Sequence, residues 1–534
     1  MIALDNAYRK HTWEEIPKRQ WDVAIIGGGI TGAGIAREAA RAKLSVLLIE
    51  QKDFAWGTSS RSSKMIHGGL RYLKEGKIGL TKEAANEREY LLERGAGLID
   101  PLSFLYVVHK GDNTPLWMLE VGLTLYDLLG KHKHAHKKLD PQATLMMAPK
   151  LRQHGLKGGF QYIDAKTDDA RLVFRVLKEA IQAGGFALNY VSAEGLLKDK
   201  TGNISGIAIK DQENGQSLEI QSRKVVNATG VWADNLRKWA HAIPKLRPLR
   251  GSHIILSKEC LPVAQSVSFL HPKDRRPVFA FPWEGVSVIG TTDVDHEEDL
   301  NMEPYASKDE IKYLLEALEN RFKDVVIHEG DIIGTFAGVR PIIGTGKKPP
   351  SKESRSHVLW DESGLLTVTG GKLTTYRVTA LQTLKVLLKD KGKIPKHVKE
   401  SSGIENIHEE VMEKAIKNLT CASLSYIKRL YGRLGADFTS FMAETDKKDM
   451  KPIGNTPYSW AELKWAAKKE AIVHLEDLLM RRVRLAHLMP DGGLSLKDTF
   501  KEQLHSLLGW DEDRWKAEWV RYENHYKAYY RLKN

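Results

Sequence analysis

The chain has 534 residues, is 42% hydrophobic and carries a formal charge of +13. That excludes a globally disordered chain and allows two or three packed cores. Two cysteines, Cys260 and Cys421, lie far apart and outside any CxxC pair, which excludes a disulfide framework and a cysteine-built zinc site.

The basic balance favours anionic partners: phosphate compounds, nucleic acid or acidic lipid. The first twenty residues, MIALDNAYRKHTWEEIPKRQ, lack the apolar run of a signal peptide. No uncharged apolar run reaches the roughly 18 residues that span a bilayer. The expectation is an intracellular protein without a transmembrane helix.

Residues 21–51 read WDVAIIGGGITGAGIAREAARAKLSVLLIEQ. DVAII suits a buried strand, AREAARAK a helix, and LSVLLIE a second strand. Between them Gly27, Gly29 and Gly32 stand in GxGxxG spacing, and Glu50 follows 18 positions after Gly32. This is the dinucleotide fingerprint, whose acid follows the glycines by roughly 20 positions. Gly27 permits the tight turn, Gly29 admits a pyrophosphate, and Gly32 lets helix and strand pack. The helix N-terminus favours the negative charge, and Glu50 suits a ribose diol.

The second strand leads at once into KDFAWGTSSRSSKMIHGGLRYLKEG, residues 52–76. Thr58, Ser59, Ser60, Ser62 and Ser63 supply short hydroxyls for phosphate or ribityl oxygens. Gly68 and Gly69 remove bulk beside a flat ring. Arg71 offers a planar fork and Tyr72 a hydroxyl beside it. The ordinary alternative is a serine-rich turn and an amphipathic helix with Arg71 solvated.

TSSRSSKMIHGGLRYL resembles the signature of the FAD-dependent glycerol-3-phosphate dehydrogenases, respiratory enzymes with the D-amino acid oxidase type of FAD fold. NATGVWAD (227–234), RGSHIIL (250–256), VIGTTDVD (288–295), TFAGVRPI (335–342) and VTGGKLTTYR (368–377) are similar to that family's blocks, in its order. The resemblance covers essentially the whole chain. It implies non-covalent FAD, held by Gly27, Gly29, Gly32, Glu50, Thr58, Ser59, Ser63, Gly68, Gly69, Ala228, Gly230, Gly371, Leu373 and Thr374. His67 is the side chain that a covalent flavin link would use.

The blocks carry further roles. Alone, NATG is a strand end needing small residues; in the family it closes over the FAD. His253 begins an apolar strand and by itself reads as a structural hydrogen-bonder; the resemblance places it near the flavin as the candidate base. Arg340 follows apolar residues, and a buried arginine needs an anion. That anion is a structural carboxylate in the ordinary reading and the substrate in the family reading, with Arg340 the alternative catalytic residue. Gly370 and Gly371 precede a helix whose N-terminus favours negative charge. Lys372 joins Arg71, Tyr72 and Arg340 in the implied substrate pocket.

The expected fold is α/β, a Rossmann-like FAD-binding domain of the glutathione reductase-like superfamily with an antiparallel-sheet substrate domain and an α-helical C-terminal domain. The FAD-dependent oxidoreductase region takes 18–395. Within it a discontinuous FAD domain covers about 18–100, 150–240 and 330–395, and the substrate domain about 101–149 and 241–329. The linker 389–406 is charged and rich in Pro, Gly and Ser. The helical domain takes 396–534, a usual size. There AELKWAAKKEAIVHLEDLLMRRVRLAHLM, residues 461–489, is strongly helical in composition, with one approximate apolar stripe of Leu463, Ala467, Ile472, Leu475, Leu479 and Val483.

PLWMLEVGLTLYDLLGKHKHAHKK, 115–138, joins an apolar helix to a basic tract. It reads equally as a membrane-surface contact and as a buried helix with a solvated loop. The expected activity is oxidation of sn-glycerol 3-phosphate to dihydroxyacetone phosphate by hydride transfer to flavin N5, with electrons passed to a membrane quinone. The expected location is cytoplasmic, peripheral on the inner face of the cell membrane. A homodimer is compatible with this. Alternatives are a glycerol-3-phosphate oxidase using oxygen, which typically carries an insertion that this chain lacks, and an amine or amino-acid oxidase. No nucleic-acid recognition module is legible, so a nucleic-acid partner is not expected.

Overall fold

The computed structural model describes residues 2–74, 76–112, 114–130, 135–323, 325–344, 356–389, 392–401, 403–405 and 423–532, with the side chains of Arg71, Lys74 and Glu329 outside the description. Cys421 and residues 390, 391, 402 and 406 of the expected linker also lie outside the described residues.

The predicted strand–turn–helix–strand is present as Trp21–Ile26, Ile30–Arg41 and Val46–Ile49. The strands are buried apolar runs, as parallel strands covered on both faces must be. Ser217–Asn227 and Val46–Ile49 flank the first strand in parallel register. Phe186–Leu188 and Leu365–Thr369 extend the sheet, and Val358–Glu362 closes one edge antiparallel. Val23, Ile25, Ala33, Ala36 and Val46 pack with Leu172, Val176 and Ala380 in one core. The helices Asp169–Gln182 and Tyr376–Leu387 cover the nucleotide helix.

The second sheet has ten strands, nearly all antiparallel, centred on Ile99–His109, Leu156–Thr167, Leu246–Ser257 and Ile332–Ile343. Among the described residues, only Ser266–Leu270 pairs parallel in this sheet, with Ile99–His109. The expected borders at 150 and 330 do not follow the sheets. Leu156–Thr167 and Ile332–Ile343 lie in the second sheet, because strand pairing, not local composition, assigns them. The strand bearing Arg340 thereby lies beside the strand bearing His253.

From 423 onward the described elements are helical. The stretch 461–489 is helical in separate pieces. Trp460–Lys469 ends at Glu470, whose carboxylate pairs with Arg171. Ala471 turns with φ of +55° and donates its N–H to Leu4 O. The chain resumes as a π-helix, Asp477–Arg482. Tertiary pairing overrides a helical composition here. The stripe Leu463, Ala467, Leu475, Leu479 and Val483 is buried, with Ile472 packed against it at partial exposure.

Candidate active site

A cavity of about 600 Å³ is lined from both sheets, a size suited to a cofactor and substrate. Its first wall is the carboxyl end of the parallel strands, where open α/β sheets bind ligands. Gly27 has φ of +114°, and a Cβ there would stand 2.5 Å from Ala228 O, so the turn excludes a side chain. A Cβ on Gly32 would stand 1.9 Å from Gly27 O. Gly32 therefore seats the helix on the turn without lining the cavity. At Gly29 the added atom would meet only Ser59 within 4 Å and would project into the cavity.

Ile30 N, at the helix start, donates to Ser59 Oγ at 3.0 Å. Glu50 lines the cavity and accepts from Gly28 N at 2.7 Å and Lys52 N at 3.0 Å, while burial lifts its carboxyl above the ordinary range. A side-chain-free turn, a helix N-terminus and an acid at the next strand end fit an adenine dinucleotide.

The segment after the second strand forms the next wall. Trp56, Thr58, Ser59 and Ser63 line it. Thr58 Oγ1 donates to Val339 O at 2.5 Å, tying this segment to the strand of Arg340. Gly69 lines the cavity, whereas Gly68 does not. A Cβ on Gly68 would meet Tyr126 OH at 2.4 Å, so the missing side chain there makes room for a buried tyrosine. Tyr126 in turn donates to Asp164 at 2.8 Å, and Arg88 pairs with the same carboxylate.

The far wall gathers charge. Lys372 Nζ lies 3.6 Å from the centroid of the Tyr72 ring, a cation–π contact. Gly370 and Gly371 both have φ of +77°, and Leu373–Thr375 begins the helical run that Tyr376–Leu387 continues. Gly371, Leu373, Thr374, Ala228 and Gly230 all line the cavity. His67 lines it too, with its N–H on Thr374 Oγ1 at 3.2 Å. Arg71 lies in the helix Leu70–Lys74, its side chain outside the described residues.

Arg340 lines the cavity and pairs through Nη1 with Asp293 Oδ1 at 3.1 Å. It thus has the carboxylate partner of the ordinary reading while still reaching the cavity. His253 is 1% exposed and does not line the cavity. Its ring stacks on Phe336 at 4.5 Å, in space that Gly290 leaves open, and its Nε2 meets Ser63 Oγ at 2.9 Å. Burial, then the Arg340 and Lys64 charges, push the imidazole well below 6.5. His253 is therefore neutral, and Ser63 stands between it and the cavity.

Sequence reasoning missed Asp164, Asp293 and Arg276, which line the cavity with the aromatic residues Phe104, Tyr162 and Phe279. Arg276 Nη1 donates to Asp293 O at 2.8 Å. The pair Arg275–Arg276 just before an apolar strand was a legible signal for Arg276. Asp293 had a weaker one, its place within the block 288–295.

The chain matches the family described as FAD dependent oxidoreductase over residues 22–377, and the C-terminal domain of alpha-glycerophosphate oxidase over 399–515. It is 35% identical over 532 residues to the aerobic glycerol-3-phosphate dehydrogenase of Staphylococcus haemolyticus, covering 96% of this chain and 95% of that one. The Staphylococcus epidermidis protein of the same name is 39% identical over 393 residues, 73% of this chain and 70% of its own length. A solved glycerol-3-phosphate dehydrogenase from Bacillus halodurans, complexed with FAD, superposes with a TM-score of 0.79 at 26% identity, covering 99% and 98% of the two chains. The FAD-bound L-alpha-glycerophosphate oxidase of Mycoplasma pneumoniae shares the fold, with a TM-score of 0.58 at 20% identity, over 73% of this chain and 99% of its own.

Proposed function

The chain belongs to the family of FAD-dependent glycerol-3-phosphate dehydrogenases, and from that premise we propose that it oxidises sn-glycerol 3-phosphate to dihydroxyacetone phosphate. The carrying observation is that Lys372, Tyr72 and Arg340 face one cavity with the dinucleotide turn. FAD, when bound, supplies the hydride acceptor, and a membrane quinone is the onward electron acceptor.

Gly27, Gly29, Glu50, Ser59, Ala228, Gly230 and Gly371 would hold the cofactor. Lys372 and the Tyr72 hydroxyl grip the phosphate by charge-assisted hydrogen bonds. Arg340, braced by Asp293, orients the C2 oxygen; its high intrinsic pKa suits it to that better than to proton removal. Orientation of this kind supplies much of such a rate enhancement. The C2 hydroxyl gives its proton to Ser63 Oγ as Ser63 gives its own to His253 Nε2. Burial is the larger cause of His253's neutrality; a bound phosphate dianion offsets the lesser one, the Arg340 and Lys64 charges.

The helix Leu116–Gly130 supports a membrane-surface location. Trp117 is 63% exposed, Val121 63% and Leu128 73%, along one helical face. Among the described residues no helix is long and apolar enough to cross a membrane. The basic tract begins in 131–134, outside the described residues.

Steady-state assays with an artificial electron acceptor test the substrate. Turnover with glycerol 3-phosphate, absent with glycerol and with amino acids, is expected. Turnover of amino acids instead would overturn the phosphate reading.

A further inference from the structure

The RRVRL segment of the C-terminal domain is placed against the back of the cofactor site. Three of its arginines are buried: Arg481 and Arg482 at 2% exposure and Arg484 at 0%. The segment they touch, residues 53–64, carries Trp56, Thr58, Ser59 and Ser63 on its cavity side.

Its contacts fall on two sides, and Ser62 joins them, lining the cavity while bonded to Asp169. Toward the cavity, Ser59 meets the start of the nucleotide helix and Ser63 meets His253. At its beginning, Asp53 is fully buried and takes Arg481 Nε at 2.5 Å and both Arg482 Nη atoms at 2.7 and 2.8 Å. At its end, Arg484 Nη1 donates to Ser60 O at 3.3 Å, its Nε to Asp168 at 3.1 Å, and its Nη2 to Asp169. Asp169 then holds Ser62 through N at 2.9 Å and Oγ at 2.7 Å, and Lys64 at 3.1 Å.

The backbone is unusual on both sides of this contact. Ala55 and Lys64 near the segment's two ends, and Arg484 itself, have positive φ, a conformation non-glycine residues hold only where surroundings enforce it. The π-helix Asp477–Arg482 puts Arg481 and Arg482 together on Asp53, and the left-handed turn at Arg484 aims the third guanidinium at the other end. A regular α-helix would point the adjacent residues 481 and 482 about 100° apart around its axis and would keep 484 on the face of 481. π-helical turns recur at functional sites.

We propose that Arg481, Arg482 and Arg484 are positioning residues for the cofactor site: the C-terminal domain holds residues 53–64 in the shape that presents Ser59 to FAD and Ser63 to the reacting end of the same cavity. The inference rests on the FAD reading above. Lysine cannot replace Arg484, because one ammonium cannot span Ser60 O, Asp168 and Asp169 as a planar fork does.

The test titrates apoprotein with FAD and follows flavin fluorescence, with visible circular dichroism of the bound flavin as a second readout. Arg484→Lys should weaken FAD binding at least tenfold and change the dichroism. Arg482→Gln, which leaves Asp53 with Arg481, should weaken it about threefold to tenfold, and it carries the test if Arg484→Lys does not fold. Leu430→Ala, in the separate core of Ile427, Phe438 and Trp465, controls for general destabilisation; it should lower Tm and leave FAD affinity unchanged. Arginine variants whose FAD affinity stays within twofold of wild type, whatever their Tm, would overturn the proposal. A wild-type protein that binds no FAD would overturn the cofactor reading instead.

Discussion

Replacing Gly29 by alanine separates the cofactor's needs from the fold's. Gly29 has φ of −80° and ψ of −175°, which alanine adopts without strain. The new methyl would stand 3.1 Å from Ser59 Oγ, and a small serine shift relieves that at a cost of about 1 kcal/mol for the weakened bond to Ile30 N. Apoprotein Tm should fall by no more than about 2–4 °C. The same methyl occupies the helix N-terminus where a pyrophosphate would lie. Overpacking of that kind costs about 1–3 kcal/mol, so FAD Kd should rise by roughly 5- to 150-fold. Gly32→Ala is the contrasting variant. Its methyl would stand 1.9 Å from a backbone carbonyl, so helix and turn must separate, costing about 3 kcal/mol or more. The assay pairs thermal melts of apoprotein with FAD titration. A Gly29→Ala protein with wild-type FAD affinity would refute the reasoning, as would one that melts with Gly32→Ala.

Lys372→Ala should raise KM for glycerol 3-phosphate by about 10- to 150-fold, the loss of one charge-assisted hydrogen bond of about 1.5–3 kcal/mol; steady-state kinetics with FAD saturating check this, and an unchanged KM removes Lys372 from the clamp. His474 is raised to about 10 by its hydrogen bonds to Glu213 and Glu518, against the pull of burial. Its folded value exceeds its unfolded one, so its stabilisation is full below about pH 6.5 and fades as pH climbs toward 10. Urea midpoints from pH 6 to 10 should therefore fall more steeply for wild type than for His474→Gln, and parallel profiles would contradict the shift. Replacing Trp117, Val121 and Leu128 together by serine should weaken binding to vesicles containing anionic lipid at least tenfold in a sedimentation assay; unaltered binding would assign that face elsewhere.

The nucleotide end of the site was legible because its physics is local. Gly27, Gly29, Gly32 and Glu50 lie within one strand–turn–helix–strand unit, and steric exclusion at a tight turn leaves a direct mark on sequence. The double glycine before Lys372 was legible for the same reason. The substrate end depends on strand pairing. Arg340 and Asp293 meet because their segments flank the strand Leu246–Ser257 on opposite edges, an adjacency that no spacing encodes. His253 was picked out by its block, but its burial behind Ser63 follows from sheet register. RRVRL looked helical because arginine is a good helix former. The buried aspartates 53, 168 and 169 dictate its actual shape, and they lie more than 300 positions away in the chain.

The most direct test of the central claim is anaerobic mixing of the yellow FAD-loaded protein with glycerol 3-phosphate, followed at about 450 nm, where oxidised flavin absorbs. The account predicts rapid bleaching with glycerol 3-phosphate, none with glycerol, and recovery of colour faster with an added quinone than with oxygen. Persistent colour with glycerol 3-phosphate present would contradict it.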